Sequence, residues 1–191
     1  MRNRWLYFMN VKQLDISECY LIDLPKFEDH RGAFIKTFHP SHFEGTPISG
    51  FNLQEEFYSV SKKNVLRGLH FQEPPAEHNK IVTCLEGKVI DFFVDIRKSS
   101  NTYGKVITIE LNSEQPQLIY LPKGVAHGFL TLSEQATLLY KTDHVYAPEL
   151  DKGILWSSIG LELEGVDLDN LIISERDKSF PKLEDYESPF K

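Results

Sequence analysis

Five side chains in the middle of this chain have the types needed for proton transfer beside a carbonyl. Arg67 and His70 lie within Val65-Leu66-Arg67-Gly68-Leu69-His70-Phe71-Gln72, Lys80 follows, His127 lies within Leu121-Pro122-Lys123-Gly124-Val125-Ala126-His127-Gly128-Phe129, and Tyr140 ends Leu138-Leu139-Tyr140. A neutral imidazole takes a proton near physiological pH. An ammonium at the carbonyl oxygen stabilises the enolate that forms, as an oxyanion hole does. A phenol on the opposite face can return a proton and invert the centre. Placed on short β-type runs separated by glycine turns, these cations imply a polar pocket inside a barrel, suited to an anionic sugar nucleotide. Each also has a plainer reading. A histidine on a strand is more often a hydrogen-bonded polar residue than a base, and His30, His39, His42, His78 and His144 are read that way. Tyr140 could be a core tyrosine. Arg67 and Lys80 could be surface charges, yet both sit among apolar strand residues, where an unpaired charge is costly and a nearby anion makes sense of them.

The elements that must position these groups are strands. Apolar, β-branched or aromatic runs recur at Phe34 to Phe38, Glu56 to Ser61, Lys80 to Leu85, Val89 to Ile96, Val106 to Leu111, Gln117 to Leu121, Gly128 to Leu132 and Thr137 to Thr142. Breakers fall between them at Pro74-Pro75, Glu86-Gly87, Ser99-Ser100-Asn101, Asn112-Ser113 and Lys123-Gly124. This predicts an all-β sandwich or barrel. The imperfect alternation of Val89-Ile90-Asp91-Phe92-Phe93-Val94-Asp95 fits a strand packed on one face and lining a polar cavity on the other; an ordinary sandwich strand would read the same. From about residue 161 the chain becomes acidic, and Ser174-Glu175-Arg176-Asp177 could open a helical turn, with serine as its cap and acids in the first turn. The expectation is one domain over 1–191, with a barrel core at about 29–160 and a C-terminal flap at about 161–191.

The 191 residues suffice to bury a core without disulfide or metal staples. With 21 Lys+Arg against 28 Asp+Glu, the net charge of -7 argues against nonspecific nucleic-acid or anionic-membrane binding. An anionic substrate must therefore meet a local basic cluster. Cys19 and Cys84 stand far apart with no CxxC pair, which fits a reducing compartment. The apolar run Trp5-Leu6-Tyr7-Phe8-Met9 is too short for a signal-peptide core, and no later run approaches membrane-spanning length. A soluble, cytoplasmic protein is expected.

Two stretches resemble the cupin superfamily of double-stranded β-helix (jelly-roll) barrels: His70-Phe71-Gln72 with Gly87 downstream, and Pro122 to His127. Metal-binding cupins carry His-x-His in the first motif and a glutamate seven residues before its closing glycine. Here Gln72 stands for the second histidine and Lys80 for the glutamate. A cation where a carboxylate ligand is wanted disfavours a divalent ion, so neither metal nor cofactor is expected.

From about Asp29 to Asp177 the chain resembles the dTDP-4-dehydrorhamnose 3,5-epimerase family, cofactor-independent cupin enzymes. The resemblance rests on Asp29-x-Arg31-Gly32-x-Phe34, Ser59-x-Ser61, the Val65–Gln72 segment, Lys80, Val94-Asp95-Ile96-Arg97, Ser100-x-Thr102-Tyr103-Gly104, Ala126-His127-Gly128-Phe129, Leu139-Tyr140, Tyr146-x-Pro148, Gly153-Ile154-x-Trp156 and Ser174-x-Arg176-Asp177. It implies an isomerase acting on a nucleoside-diphosphate-linked 4-keto-6-deoxyhexose, inverting C3, C5 or both. It implies His70 as base, oriented by Asp177, Tyr140 as acid, and Lys80 at the C4 keto oxygen. Arg31 and Arg67 would clamp the diphosphate, His127 and Tyr146 would line the sugar pocket, and Arg176 would belong to the substrate-binding set. A homodimer is also implied, with Trp5 to Phe8 suited to its interface. Asp177 has a plainer reading too, as a residue that caps or solvates the tail.

Three positions depart from the family pattern: Lys36 where an acid is usual, Glu55 where glutamine is usual and Phe57 where asparagine is usual. In the family that the chain resembles, all three positions serve recognition of the nucleotide end. A Lys36–Glu55 ion pair across neighbouring strands is expected, with Phe57 offering a stacking face in place of an amide. The base carried by the substrate is therefore expected to differ from thymine or to be held differently. The competing readings are a 3,4-ketoisomerase of related cupin type and a noncatalytic sugar-nucleotide binder.

Overall fold

The computed structural model describes residues 10–163 and 165–191; the Trp5 to Phe8 run lies outside them. The strands are β1 (Val11–Gln13), β2 (Tyr20–Asp23), β3 (Lys26–Asp29), β4 (Gly32–Ile35), β5 (Glu55–Lys62), β6 (Leu66–Gln72), β7 (Lys80–Glu86), β8 (Lys88–Asp95), β9 (Val106–Asn112), β10 (Gln117–Leu121), β11 (Val125–Thr131), β12 (Gln135–Thr142) and β13 (Asp151–Gly153). A six-stranded sheet runs β1-β2-β10-β7-β12-β5 and faces a five-stranded sheet, β13-β6-β11-β8-β9. From β5 to β13 the chain crosses from one sheet to the other at nearly every connection, the exception being the β8–β9 hairpin. That alternation is the jelly roll, and the all-β expectation holds. Among the described residues, β3 pairs only with β4, as a separate two-stranded hairpin.

Three apolar clusters explain why strand alternation is imperfect. Between the sheets lie Val82, Cys84, Val89, Phe93, Leu138 and their neighbours. On the outer face of the five-stranded sheet, Phe92, Val94, Ala126 and Leu130 are covered by the C-terminal tail through Leu161, Leu183, Tyr186 and Phe190. On the outer face of the six-stranded sheet, Ile22, Ile81 and Leu118 are covered by Phe43, Ile48 and Phe51 from the 36–54 connection. The central strands of both sheets, such as β8 and β11, are thus buried on both faces and carry apolar residues at successive positions, whereas the edge strands β5 and β9 keep exposed residues.

Some boundaries differ from expectation. The six-stranded sheet begins at Val11, well before residue 29, because β2 pairs with β10 and β1 pairs with β2 at the sheet's edge. The run Phe34 to Phe38 is strand only to Ile35, since Phe38 turns into an aromatic cluster with Phe43 and Phe51. The tail contains single 3-10 turns and one short helix, α1 (Glu175–Lys178), capped by the Ser174 side chain, which accepts from the Asp177 N–H. Ile172 bonds back to Asn64 and Leu66, fastening the tail to the start of β6. Among the described residues no helix is long and apolar enough to cross a membrane.

Candidate active site

A cavity of about 340 Å³ lies between the two sheets, with walls built from both. The five-stranded sheet supplies Arg67 and His70 from β6 and His127 from β11; the six-stranded sheet supplies Phe57 and Ser59 from β5, Lys80 from β7 and Tyr140 from β12.

Arg67 and His70 are an odd number of residues apart, so strict strand alternation would point them to opposite faces. Both line the cavity because the β6–β11 register shifts between His127 and Phe129. The shift is centred on Gly68, where φ is +113°, a value side-chain-bearing residues rarely adopt, and where a Cβ would lie 2.6 Å from the Gly128 Cα. Leu66 and Leu69 consequently turn to the outer cluster while Arg67 and His70 turn inward.

His70 Nε2 lies 2.9 Å from Asp177 Oδ1, and Asp177 Oδ2 accepts from the Gly68 N–H at 2.9 Å. Burial raises the Asp177 carboxyl, but the His70 hydrogen bond and charge, with the Gly68 and Ser174 bonds, outweigh it and hold the group below the usual carboxylate range. An ionised Asp177 accepts from Nε2–H and so leaves the lone pair of His70 on Nδ1. The imidazole also meets the Phe180 ring edge-on at 5.5 Å. Gly153 makes room for that ring, since any Cβ there would overlap it.

On the facing sheet, Lys80 Nζ reaches the His70 carbonyl at 3.5 Å. Burial pulls its pKa down to about 8, against the attraction of Asp151 and Asp91. Tyr140 is buried, its hydroxyl 3.4 Å from Ser59 Oγ and its ring stacked on Phe57 at 4.9 Å and 14°. Burial raises its pKa above the ordinary phenol range, against the Ser59 hydrogen bond, so the group stays protonated at neutral pH. Arg67 Nε donates to Ser61 Oγ at 3.0 Å, which spans the gap between β6 and β5.

Asp91, His78, His144 and Asp151 belong to the site or its support without a role assigned from the sequence. His127 Nε2 is 2.8 Å from Asp91 Oδ2, and both are buried. Burial lowers the His127 pKa, and Asp91 opposes it. An acid inside an apolar strand was the available signal for Asp91, because such a group needs a partner. His78 and His144, read as ordinary polar residues, both line the cavity. His78 is two positions before Lys80, a spacing that puts both on one side of an extended segment. Burial, then the Lys80 charge, hold its pKa near 3. Gln72 does not point free into the cavity: it donates to the Ala76 carbonyl at 2.8 Å and accepts from the Ala147 N–H at 2.7 Å, tying two loops to β6. Asp151, at the rim, had no sequence signal.

Of the residues named from the sequence, His70, Tyr140, Lys80, Arg67, His127, Tyr146, Glu55 and Phe57 are cavity residues, and Asp177 stands directly behind His70. Arg31, Lys36 and Arg176 are not brought to the wall by this chain. Arg31 sits at the turn of the β3–β4 hairpin, its side chain 79% exposed and bonded to Asp29. Lys36 is exposed just beyond β4, and the expected Lys36–Glu55 ion pair is not formed. Glu55 instead accepts from the Tyr146 N–H at 2.7 Å, fixing the loop after β12, because the β3–β4 hairpin is not hydrogen-bonded to the sheet that carries β5. Arg176 bonds Asp151 Oδ2 at 2.6 Å.

A barrel holding this constellation agrees with comparisons to known proteins. The family model described as dTDP-4-dehydrorhamnose 3,5-epimerase matches residues 13–185. The dTDP-4-dehydrorhamnose 3,5-epimerase of Escherichia coli (strain K12) is 39% identical over 173 residues, covering 89% of this chain and 92% of that protein. A crystal structure of the dTDP-6-deoxy-D-glucose-3,5-epimerase of Legionella pneumophila Philadelphia 1 in complex with dTDP-4-keto-L-rhamnose superposes with a TM-score of 0.89 at 31% identity, over 96% of this chain and 98% of that one. A 3'-monoepimerase from Streptomyces bikiniensis, in complex with dTDP-quinovose, superposes with a TM-score of 0.81 at 27% identity, over 90% of this chain and 86% of that one. Jelly-roll topology, a match spanning nearly the whole chain and relatives of similar length lead to one conclusion: this chain belongs to the dTDP-4-dehydrorhamnose 3,5-epimerase family.

Proposed function

We propose that this isomerase epimerises a nucleoside-diphosphate-linked 4-keto-6-deoxyhexose beside its keto group, through an enolate formed and quenched by its own side chains. The observation that carries the assignment of roles is the pairing of walls: the His70–Asp177 couple stands on the five-stranded sheet, and Tyr140 on the six-stranded sheet across the cavity. His70 Nδ1 takes the α-hydrogen as a proton, and the C–H electron pair moves into the carbon–carbon bond as the C4 carbonyl becomes an enolate. The Lys80 ammonium balances the oxygen's charge. Tyr140 then delivers its hydroxyl proton to the opposite face, inverting the centre. Imidazolium and phenolate return to their starting states by proton exchange with water. Both C3 and C5 are α to the same carbonyl, so one base serves either centre when the sugar reorients.

Arg67 is assigned to the diphosphate, for which a planar, permanently charged fork is fitted. His127 and Tyr146 are assigned to the sugar, and Glu55 and Phe57 to the nucleotide end. That the Legionella relative holds dTDP-4-keto-L-rhamnose supports a sugar nucleotide of this class. A homodimer and a cytoplasmic location complete the reading. The first is supported by the exposed apolar side chains of the β3–β4 hairpin and of edge strand β5, with Phe34 60% and Tyr58 68% exposed. The second is supported by two buried, unpaired cysteines. A diphosphate role for Arg31 requires the hairpin of a second copy, and light scattering on the purified protein tests the dimer.

Incubation with dTDP-, UDP-, CDP- and GDP-linked 4-keto-6-deoxyhexoses in deuterated buffer, followed by NMR, is the decisive experiment. Deuterium at C3, C5 or both with the carbonyl kept at C4 supports epimerisation. A carbonyl moved to C3 identifies a ketoisomerase, and binding without exchange identifies a noncatalytic binder. Equal or better exchange with a base other than thymine assigns Glu55 and Phe57 to a changed nucleotide end; selectivity for dTDP removes that idea.

A further inference from the structure

Tyr140, Lys141 and Thr142 follow one another on β12, and strand alternation turns the outer two into the cavity and the middle one to the opposite face of the sheet. Lys141 is buried there, with 2% of its side chain exposed. Its ammonium meets Glu56 Oε2 at 3.1 Å and donates to Thr37 Oγ1 at 3.4 Å. Glu56 is its direct partner across β5 and is half-exposed. Thr37 lies two residues beyond β4, where the chain leaves the β3–β4 hairpin and settles on the outer face of the six-stranded sheet. The proton chemistry uses none of these three groups.

A buried ammonium is costly, and an apolar side chain of similar length fills the space without that cost. What the charge adds is direction. Ile35 and Phe38 pack into the outer apolar cluster on either side of Thr37, but apolar contacts fix no register, whereas the ammonium holds one hydroxyl at one point. Among the described residues the hairpin forms no ladder with either sheet, so its direction is set at its two roots. The incoming root is held by the Leu24 N–H on the Pro116 carbonyl at 3.0 Å and the Lys26 ammonium on the Glu114 carbonyl at 3.4 Å. The returning root is held by Lys141. Arg31, at the turn, is six residues from Thr37. That is roughly 20 Å of extended chain, so a swing of about 10° at the root carries the turn about 3 Å, more than a charged hydrogen bond tolerates.

We propose that Lys141 is a positioning residue that aims the β3–β4 hairpin through Thr37, so that Arg31 of one copy meets the diphosphate in the cavity of a second; this rests on the reading of a homodimer whose hairpin supplies Arg31. Lys141 then governs substrate binding in the neighbouring copy from the face of the sheet that substrate never touches.

The test is steady-state kinetics on the full chain, with wild type, Lys141→Met, Arg31→Ala and the double variant, using whichever of the four nucleotide-linked sugars named above the wild type exchanges fastest. Lys141→Met is expected to raise KM about 5- to 20-fold while kcat stays within about threefold, as loss of uniform binding does. Its melting temperature stays within a few degrees of wild type, since an apolar replacement of a buried charge is close to neutral. Arg31→Ala raises KM at least as much, and the double variant stays within about twofold of Arg31→Ala alone, because both changes act on one contact. A purely structural role for Lys141 does not produce that non-additivity. A fall in kcat with KM unchanged in Lys141→Met, which would make Lys141 a support of Tyr140, overturns the proposal. So do KM effects that multiply in the double variant. If Lys141→Met does not fold, Thr37→Val, which removes the tethered hydroxyl and keeps the ammonium beside Glu56, decides by the same comparison: a raised KM supports the tether and an unchanged one overturns it. Failure of the underlying reading is separate, and shows as a monomeric wild type in light scattering or an unchanged KM in Arg31→Ala.

Discussion

His70 Nε2 and Asp177 Oδ1 meet at 2.9 Å although 107 residues separate them, and the contact joins β6 of the barrel to the helix of the tail. Substituting His70 by Asn is expected to lower proton exchange at C3 and C5 by about 10²- to 10⁴-fold, the range for a positioned acid or base. Nucleotide binding should persist. Asp177→Asn keeps the shape but loses the charge that fixes the imidazole tautomer, and should fall by a smaller factor. Deuterium incorporation read by NMR checks both.

Tyr140 and Phe57 offer a different readout. With the phenol removed in Tyr140→Phe, abstraction by His70 remains but delivery of a proton to the opposite face does not. Exchange into the substrate should continue while inversion drops about 10²-fold or more. Equal losses of exchange and inversion would take Tyr140 out of the acid role. Phe57→Ala removes the ring stacked on the phenol, and should lower kcat more than it raises KM.

For Lys80 the pKa near 8 puts the loss of its positive charge within the working range. The rate is expected to fall as pH rises through about 8. The effect on stability runs the other way. The folded pKa lies below the unfolded value of about 10.4, so the unfolded chain binds more protons between the two and stability rises with pH over that interval. Lys80→Met should therefore raise the unfolding free energy at pH 7 by roughly 1–3 kcal/mol while abolishing turnover. Thermal denaturation at pH 7 and pH 10 checks the sign, since the gain should shrink at the higher pH.

His78 makes the fold sensitive to acid. Its folded pKa, near 3, lies below the unfolded value, so the unfolded chain takes up a proton first as pH falls. Stability is lost progressively from about pH 6.5 down to the folded pKa, and His127, shifted in the same direction, adds to it. The dependence of melting temperature on pH between 6.5 and 4 should be shallower in His78→Gln than in wild type. An unchanged slope would remove His78 from the acid response.

Much of this protein can be read along the chain. The runs from Lys80 to Thr142 with their glycine and proline breakers specify strands, because side-chain alternation and turn chemistry are local properties. Arg67 and Lys80 announced a site because a cation among apolar strand residues needs an anion, and that too is local. Which face a residue takes is decided by register. Arg67 and His70 share the cavity only because β6 shifts against β11 at Gly68, where two backbones touch. Whether Asp177 reaches His70, whether Glu55 meets Lys36 or the Tyr146 N–H, and whether Arg176 meets Asp151 depend on how distant segments pack. Sequence spacing cannot carry that information, since the free energy of those contacts comes from desolvation and geometry that exist only after the sheets and the tail have closed on one another.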